Sequence, residues 1–307
     1  MKTQNNQKIH FVTGKGGVGK SFFAAGLALK IGFASRAQEQ NQSEPVLLAE
    51  INERSFYTDY LGIPGLGYKP TQFSFTLDNQ KIQLDVAQWN AENCLKEYAL
   101  HLLKVESLYK LFFQNPISKS LIEIAPGLKE LAILGKATSG PRHHGPEMRY
   151  QEIIFDSFAT GHFLSALRAP LALSETIRFG PMGEQSRGIN QWLRNPEFCH
   201  VHIVTLPEEL PITETIELYH QIKNEFGLVP KVYLNKVFSI NEKQIENESD
   251  ELKNYFSLQI VQQEKSKQLL SKEKILFQEI PYFPKINTTE LLTDLTNYLK
   301  KLNKGLA

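Results

Sequence analysis

Cysteine is almost missing from this chain: there are two, Cys94 and Cys199, in 307 residues. No Cys-x-x-Cys occurs, which excludes a cysteine-built zinc site within one chain, and two thiols so far apart make no disulfide framework. Both read as small buried residues. Methionine is as sparse, at three, which removes the adaptable Met-rich surface of promiscuous binders. No stretch approaches the roughly 18 apolar residues of a membrane span. Neither sign of charge is in excess: 34 Lys and Arg face 33 Asp and Glu. That balance, with no basic stripe, argues against nucleic acid as a partner. Residues 1–8 are polar and Gln/Asn-rich, without the apolar core of a secretory signal, so the expectation is a cytoplasmic protein.

What is present is a regular alternation. Short β-prone runs stand at 8–13, 45–51, 82–87, 150–156, 200–205, 229–234 and within 275–283. Helical patterns lie between them at 20–34, 91–135, 162–196, 211–226, 242–271 and 290–303, with breaks expected at Pro170 and at Gly180-Pro181. The Gly-, Pro- and His-rich stretch 136–148 reads as loop. Strands alternating with helices predict an α/β fold with a doubly wound, mostly parallel sheet. The expectation is a single domain over 1–307, with helical insertions at about 91–135 and 163–196 forming a subdomain.

The densest signal is Gly14-Lys15-Gly16-Gly17-Val18-Gly19-Lys20-Ser21, which fits the P-loop pattern G-x-x-x-x-G-K-[ST]. A strand before it and a helix after it set it apart from a chance glycine-rich turn. Backbone N–H groups there point at phosphate and the helix dipole favours negative charge. Lys20 then reaches the β- and γ-phosphates of ATP or ADP, and the Ser21 hydroxyl ligates Mg2+. Asp156 closes a buried strand and is the candidate second magnesium residue, through water; it also fits an N-cap. Asn235, at a strand end, offers both donor and acceptor to an adenine edge, or is a turn residue.

The second lysine, Lys15, makes this the deviant form of the loop. It resembles that of the dimeric ATPases related to the Min, Par, nitrogenase-iron and arsenite-pump proteins. Further segments narrow the likeness to the arsenite-pump and tail-anchored-protein-targeting ATPases. Asp156-Ser157-Phe158-Ala159-Thr160-Gly161-His162 resembles their D-T-x-x-T-G-H switch II, and Pro126-Gly127-Leu128-Lys129-Glu130 their P-G-x-x-E. Thr205-Leu206-Pro207-Glu208 with Glu214-Thr215 resembles T-x-P-E…E-T, and Tyr233-Leu234-Asn235 the adenine-reading strand end. The resemblance implies that Lys15 crosses a dimer interface to the partner's nucleotide, acting like an arginine finger. A solvated loop lysine is the plain alternative. It also implies that the Gly161 N–H meets the γ-phosphate. His162 relays that contact, or is a surface histidine.

Three departures bear on activity. Asn52 stands where the family has an aspartate for the attacking water; an amide orients water but accepts no proton, and Glu50 or Glu53 are the nearest substitutes. Phe22 replaces a threonine, so a hydroxyl contact to the α-phosphate is lost while the backbone N–H remains. The family's metal-binding cysteines have no counterparts, which argues against arsenite transport. The sequence therefore predicts a magnesium-dependent ATPase, a homodimer or a heterodimer with a paralogue, whose nucleotide state controls a client-binding helical surface. A catalytically weak scaffold subunit is the first alternative. A Min-like membrane positioning ATPase is the second, because Leu291, Leu292, Leu295, Leu299 and Leu302 share a side of the last helix beside Lys300, Lys301 and Lys304. Packing of that helix on the sheet explains the same pattern. Leu102, Leu103, Leu108, Leu111, Phe112 and Phe113 fit either a helical core or an exposed groove.

Overall fold

The computed structural model describes residues 7–38, 46–51, 55–103, 127–239 and 249–302. Its frame is one sheet of eight strands: β1 Lys8–Thr13, β2 Val46–Glu50, β3 Thr71–Leu77, β4 Gln80–Gln88, β5 Glu152–Asp156, β6 Cys199–Thr205, β7 Lys231–Val237 and β8 Phe277–Pro281. Their order is β3-β4-β2-β5-β1-β6-β7-β8, and only the β3–β4 pair is antiparallel. This is the expected doubly wound α/β architecture.

Successive residues of each inner strand point to opposite faces, and both faces are covered. Val12, Leu48, Ile154 and Val204 face helix α1 (Lys20–Gln38) and the last described helix, α10 (Thr288–Leu302). Phe11, Leu47, Ala49, Phe155 and Ile203 face the other way. There they share one apolar cluster with helices α4 (Leu128–Ala137), α6 (Thr160–Thr176), α7 (Gly180–Leu193) and α8 (Glu209–Phe226). The remaining helices among the described residues are α2 (Phe56–Leu61), α3 (Ala91–Leu103), the single turn α5 (Ser139–Arg142) and α9 (Asp250–Lys272).

Three details differ from the sequence-based expectation, and a fourth follows the packing read for the last helix. β3 and α2 carry too little periodicity to be read; β3 is a half-exposed edge strand, joined to β4 by Asp78 and Asn79, both left-handed, as a tight hairpin requires. The stretch 136–148 is not all loop. α4 runs through Ala137 because Lys136 is buried, its ammonium donating to Glu97 at 2.6 Å and to the Tyr68 hydroxyl at 2.7 Å. α6 passes through Pro170 to Thr176, where burial of Ala166, Leu167, Ala169 and Pro170 outweighs the lost N–H. Finally, Leu292, Leu295 and Leu299 of α10 are buried, with Leu295 against Gly26 of α1, and Lys300 pairs with Asp78 at 2.8 Å. The apolar side of this helix is thus taken up by the fold, which disfavours the membrane-anchor alternative. Among the described residues no helix is long and apolar enough to cross a membrane. Of the apolar run 102–113, only Leu102 and Leu103 fall within the described residues; Leu108, Leu111, Phe112 and Phe113 lie outside them.

On the α1 face, a chain of hydrogen bonds crosses four strands. The Tyr233 hydroxyl lies 3.3 Å from His202 Nδ1, His202 Nε2 lies 3.0 Å from His10 Nδ1, and His10 Nε2 lies 2.8 Å from Glu152 Oε2. Neutral rings satisfy all three: tyrosine donates to His202, His202 to His10, and His10 to the carboxylate. A proton added between the two rings sets N–H against N–H. Lys8, Lys30 and Lys231 also face the cluster. Burial first, then neighbouring His10 and the lysines, holds His202 well below the ordinary value and His200, stacked on His10 at 5.0 Å, down at about 4. Depressed folded values mean that this stabilisation is whole above about 6.5 and is lost as pH falls towards 4. Asp156, described below, is raised to about 6 and works in the opposite sense over that window. The expected outcome is therefore differential. The loss of Tm between pH 7 and pH 5 is smaller in His202→Gln than in the unaltered protein, as measured by thermal denaturation in parallel.

Candidate functional site

The glycine loop lies between β1 and α1, at the middle of the sheet and at the carboxyl ends of its parallel strands, where the strand order reverses. Its shape rests on glycine. Gly14 has φ +143°, and a Cβ there would stand 2.0 Å from the Val204 carbonyl oxygen of β6. Gly19 has φ +96°, and its Cβ would stand 2.6 Å from Asn235 Nδ2. Gly16 has open space around it. Val18, fully buried, pins the loop to the α1 side of the sheet.

Lys20 opens α1, and its ammonium donates back to the Lys15 carbonyl at 2.9 Å. Burial lowers its pKa, opposed in part by Asp156. Asp156 ends β5, beside Val12 of β1 and Glu50 of β2 in register, and is 1% exposed. Burial pushes its carboxyl up to about 6; the Ser21 hydroxyl, hydrogen-bonded to it, lowers it, neighbouring Glu50 raises it, and Tyr57 and Lys20 lower it. Asp156 caps no helix: the N-cap of α6 is Ala159. The structure thus brings Lys20, Ser21 and Asp156 together.

Glu50 is fully buried, yet its carboxylate has work within the fold. It accepts from the Ser55 hydroxyl at 2.7 Å and the Phe56 N–H at 2.6 Å, while Ser55 Oγ accepts the Thr58 N–H at 3.1 Å. Together they cap α2. Asn52 and Glu53 lie outside the described residues. Phe22 packs edge-on against Phe56, ring centres 5.1 Å apart, and both line the cavity beside the loop.

Lys15 and Asn235 both have partners within the chain. Lys15 Nζ lies 3.0 Å from Glu214 Oε1 of α8, and Glu214 Oε2 accepts from the Thr160 hydroxyl at 3.1 Å. Asn235 Nδ2 donates to the Val18 carbonyl at 2.8 Å, tying the end of β7 to the loop. Gly161 lies in the first turn of α6 with nothing crowding it. His162 stacks on Phe158, ring centres 4.0 Å apart, and lies 3.3 Å from Glu130 of α4.

A cavity of about 450 Å3 extends from Gly17, Gly19, Lys20 and Ser21 to Asn235, Lys236, Pro281, Tyr282, Phe283 and Lys285. The segment after β8 was not singled out from sequence; a Pro-Tyr-Phe-Pro run after a strand, with a lysine next, is the signal that was there to find. Tyr57 was also missed. It carries no motif, yet its hydroxyl lies 3.2 Å from both Asp156 Oδ2 and the Ser21 carbonyl oxygen.

The family model described as "Anion-transporting ATPase" matches residues 7–181, more than half of the chain and inclusive of the loop, β2, β5 and all of α6. The chain belongs to the anion-transporting ATPase family. Among its relatives is the protein named ATPase BagA of Mycobacterium tuberculosis, 28% identical over 237 residues, covering 75% of this chain and 65% of that protein. The protein named ATPase ASNA1 homolog of Entamoeba dispar is 24% identical over 272 residues, covering 78% of this chain and 79% of the relative. ATPase GET3B of Arabidopsis thaliana is 24% identical over 281 residues, covering 77% and 66%. The match thus spans just under two thirds of the mycobacterial relative.

The loop geometry sets two glycines of this family member apart. Gly14→Ala forces a left-handed strain and a collision with a strand carbonyl, so it should destabilise the fold by several kcal/mol. Gly16→Ala should change stability by less than about 0.5 kcal/mol. Urea denaturation of the two variants checks the contrast.

Proposed function

We propose that the chain binds ATP and ADP with Mg2+ at the glycine loop and hydrolyses ATP as a dimeric switch. Its nucleotide state would control a helical surface that engages a protein client. The observation that carries this reading is the convergence of Lys20, Ser21 and the buried Asp156 on one side of the loop. Loop N–H groups and the α1 dipole suit the phosphates, and Lys20 supplies charge next to them. The Ser21 hydroxyl and the Asp156 carboxylate are hard oxygen donors of the kind Mg2+ takes, the serine directly and the aspartate through water. The bound ion would neutralise charge on the β- and γ-phosphates. The aromatic and lysine side chains after β8, with Asn235 opposite, suit a base and ribose.

The Lys15 pairing supports the switch. In the single chain Lys15 is held by Glu214, which also holds Thr160 at the start of α6. A lysine drawn to a partner's nucleotide would leave Glu214, so dimer formation and the position of segment 157–162 would be coupled. The partner would be a second copy or a paralogue. We place the client surface on the helical insertions, where Phe179 and Met182 stand exposed. The second reading, a slow scaffold subunit, is favoured by Glu50. Its carboxylate is occupied in capping α2, and Asn52 supplies no proton acceptor.

Lys20→Ala should weaken ATP affinity about 100-fold or more, since it removes charge-assisted contacts to phosphate; calorimetry giving an unchanged Kd would overturn the P-loop assignment. Lys15→Ala should still bind nucleotide but lose ATP-dependent dimerisation, followed by sedimentation, and lose turnover on the order of 10³-fold. Asn52→Asp separates the two readings: a rise in single-turnover rate at nearly constant affinity supports a weakened enzyme. Ordinary turnover in the unaltered protein, with no gain in the variant, would remove the scaffold reading.

A further inference from the structure

We propose that Tyr57 is a positioning residue that ties helix α2 to the metal pair Ser21 and Asp156. The inference rests on the magnesium assignment above and adds a residue to it. Helix α2 has six residues, too few to hold its shape without anchors. One anchor is the Glu50 carboxylate at its N-terminus. A second is Phe22, the neighbour of Ser21, whose ring meets Phe56 and Tyr60 of the helix. The third is Tyr57, which is fully buried.

The tyrosine hydroxyl has one proton to give and two acceptors at 3.2 Å, the Asp156 Oδ2 and the Ser21 carbonyl oxygen. A carboxylate is the stronger acceptor, so the proton goes to Asp156. With Oδ2 held by tyrosine, the rotation of the carboxyl is fixed. Its remaining oxygen is left free to take water on a metal, and the Ser21 hydroxyl also bonds the carboxyl. The same bond works in reverse: a metal that fixes Asp156 also fixes α2.

The test uses Tyr57→Phe in the full chain, with ADP as probe. ADP affinity is measured by calorimetry with Mg2+ and with EDTA. The expected result is an unchanged affinity in EDTA and a magnesium-dependent gain about 10-fold smaller than in the unaltered protein, the scale of one hydrogen bond to a buried charged group. A variant that is merely less stable loses Tm but keeps the full gain, and that result would overturn the proposal. If the unaltered protein shows no gain with Mg2+, the magnesium assignment fails and the proposal with it, whereas loss of ADP binding in EDTA by Lys20→Ala reports on the loop alone. A second measurement needs no variant. Adding Mg2+ to the ADP complex should slow amide hydrogen exchange across residues 55–61; unchanged exchange there also overturns the proposal.

Discussion

A carboxylate almost without solvent has to be surrounded by donors, and at Asp156 that demand organises the centre of the molecule. Ser21 brings the start of α1, Tyr57 brings α2, and Lys20 brings a neighbouring positive charge. Glu50, one strand over, adds a second buried acid, and a helix N-terminus has to come to it. Two connections of the sheet deliver these donors: Lys20 and Ser21 follow β1, and Tyr57 follows β2. The parallel register of β1, β2 and β5 is what sets those connections side by side. Removing any one donor leaves a buried charge with one partner fewer, so the arrangement is held by cost as much as by attraction.

The sequence made some of this legible and not the rest, for physical reasons. The loop was readable because glycines at fixed spacing before a lysine have few other uses, and because its flanks declare a strand and a helix. Asp156 was readable because an apolar run ending in an acid marks the carboxyl end of a buried strand. The alternating pattern carried the sheet as a whole. Edge strand β3 was not readable, since a strand wet on one side and short of neighbours needs little hydrophobic signal. Helix α2 was not readable for the opposite reason: its stability comes from contacts distant in sequence. Lys136 misled because a lysine among glycines and prolines reads as loop, whereas here it lies against the rings of Tyr68 and Trp89.

Two candidate residues gained a role that no motif contained. Asn235 was read as a group for the base, and its amide also ties β7 to the loop through Val18. Lys15 was read as a group for a partner, and it has a partner within its own chain in Glu214. Asn235 is thus fixed within the fold, whereas the Glu214 contact would have to break before Lys15 could reach another chain.

The covering of α1 has a consequence for the order in which the molecule is made. The outer side of that helix, including the small face at Gly26, is closed by Leu292, Leu295 and Leu299. These residues are synthesised long after the loop they support. Until they emerge, a newly made chain holds its phosphate-binding loop on a helix whose apolar back is open to water. The site should therefore mature only after residues 292–299 have left the ribosome, and in the interval the bare face of α1 is a surface for chaperones to cover.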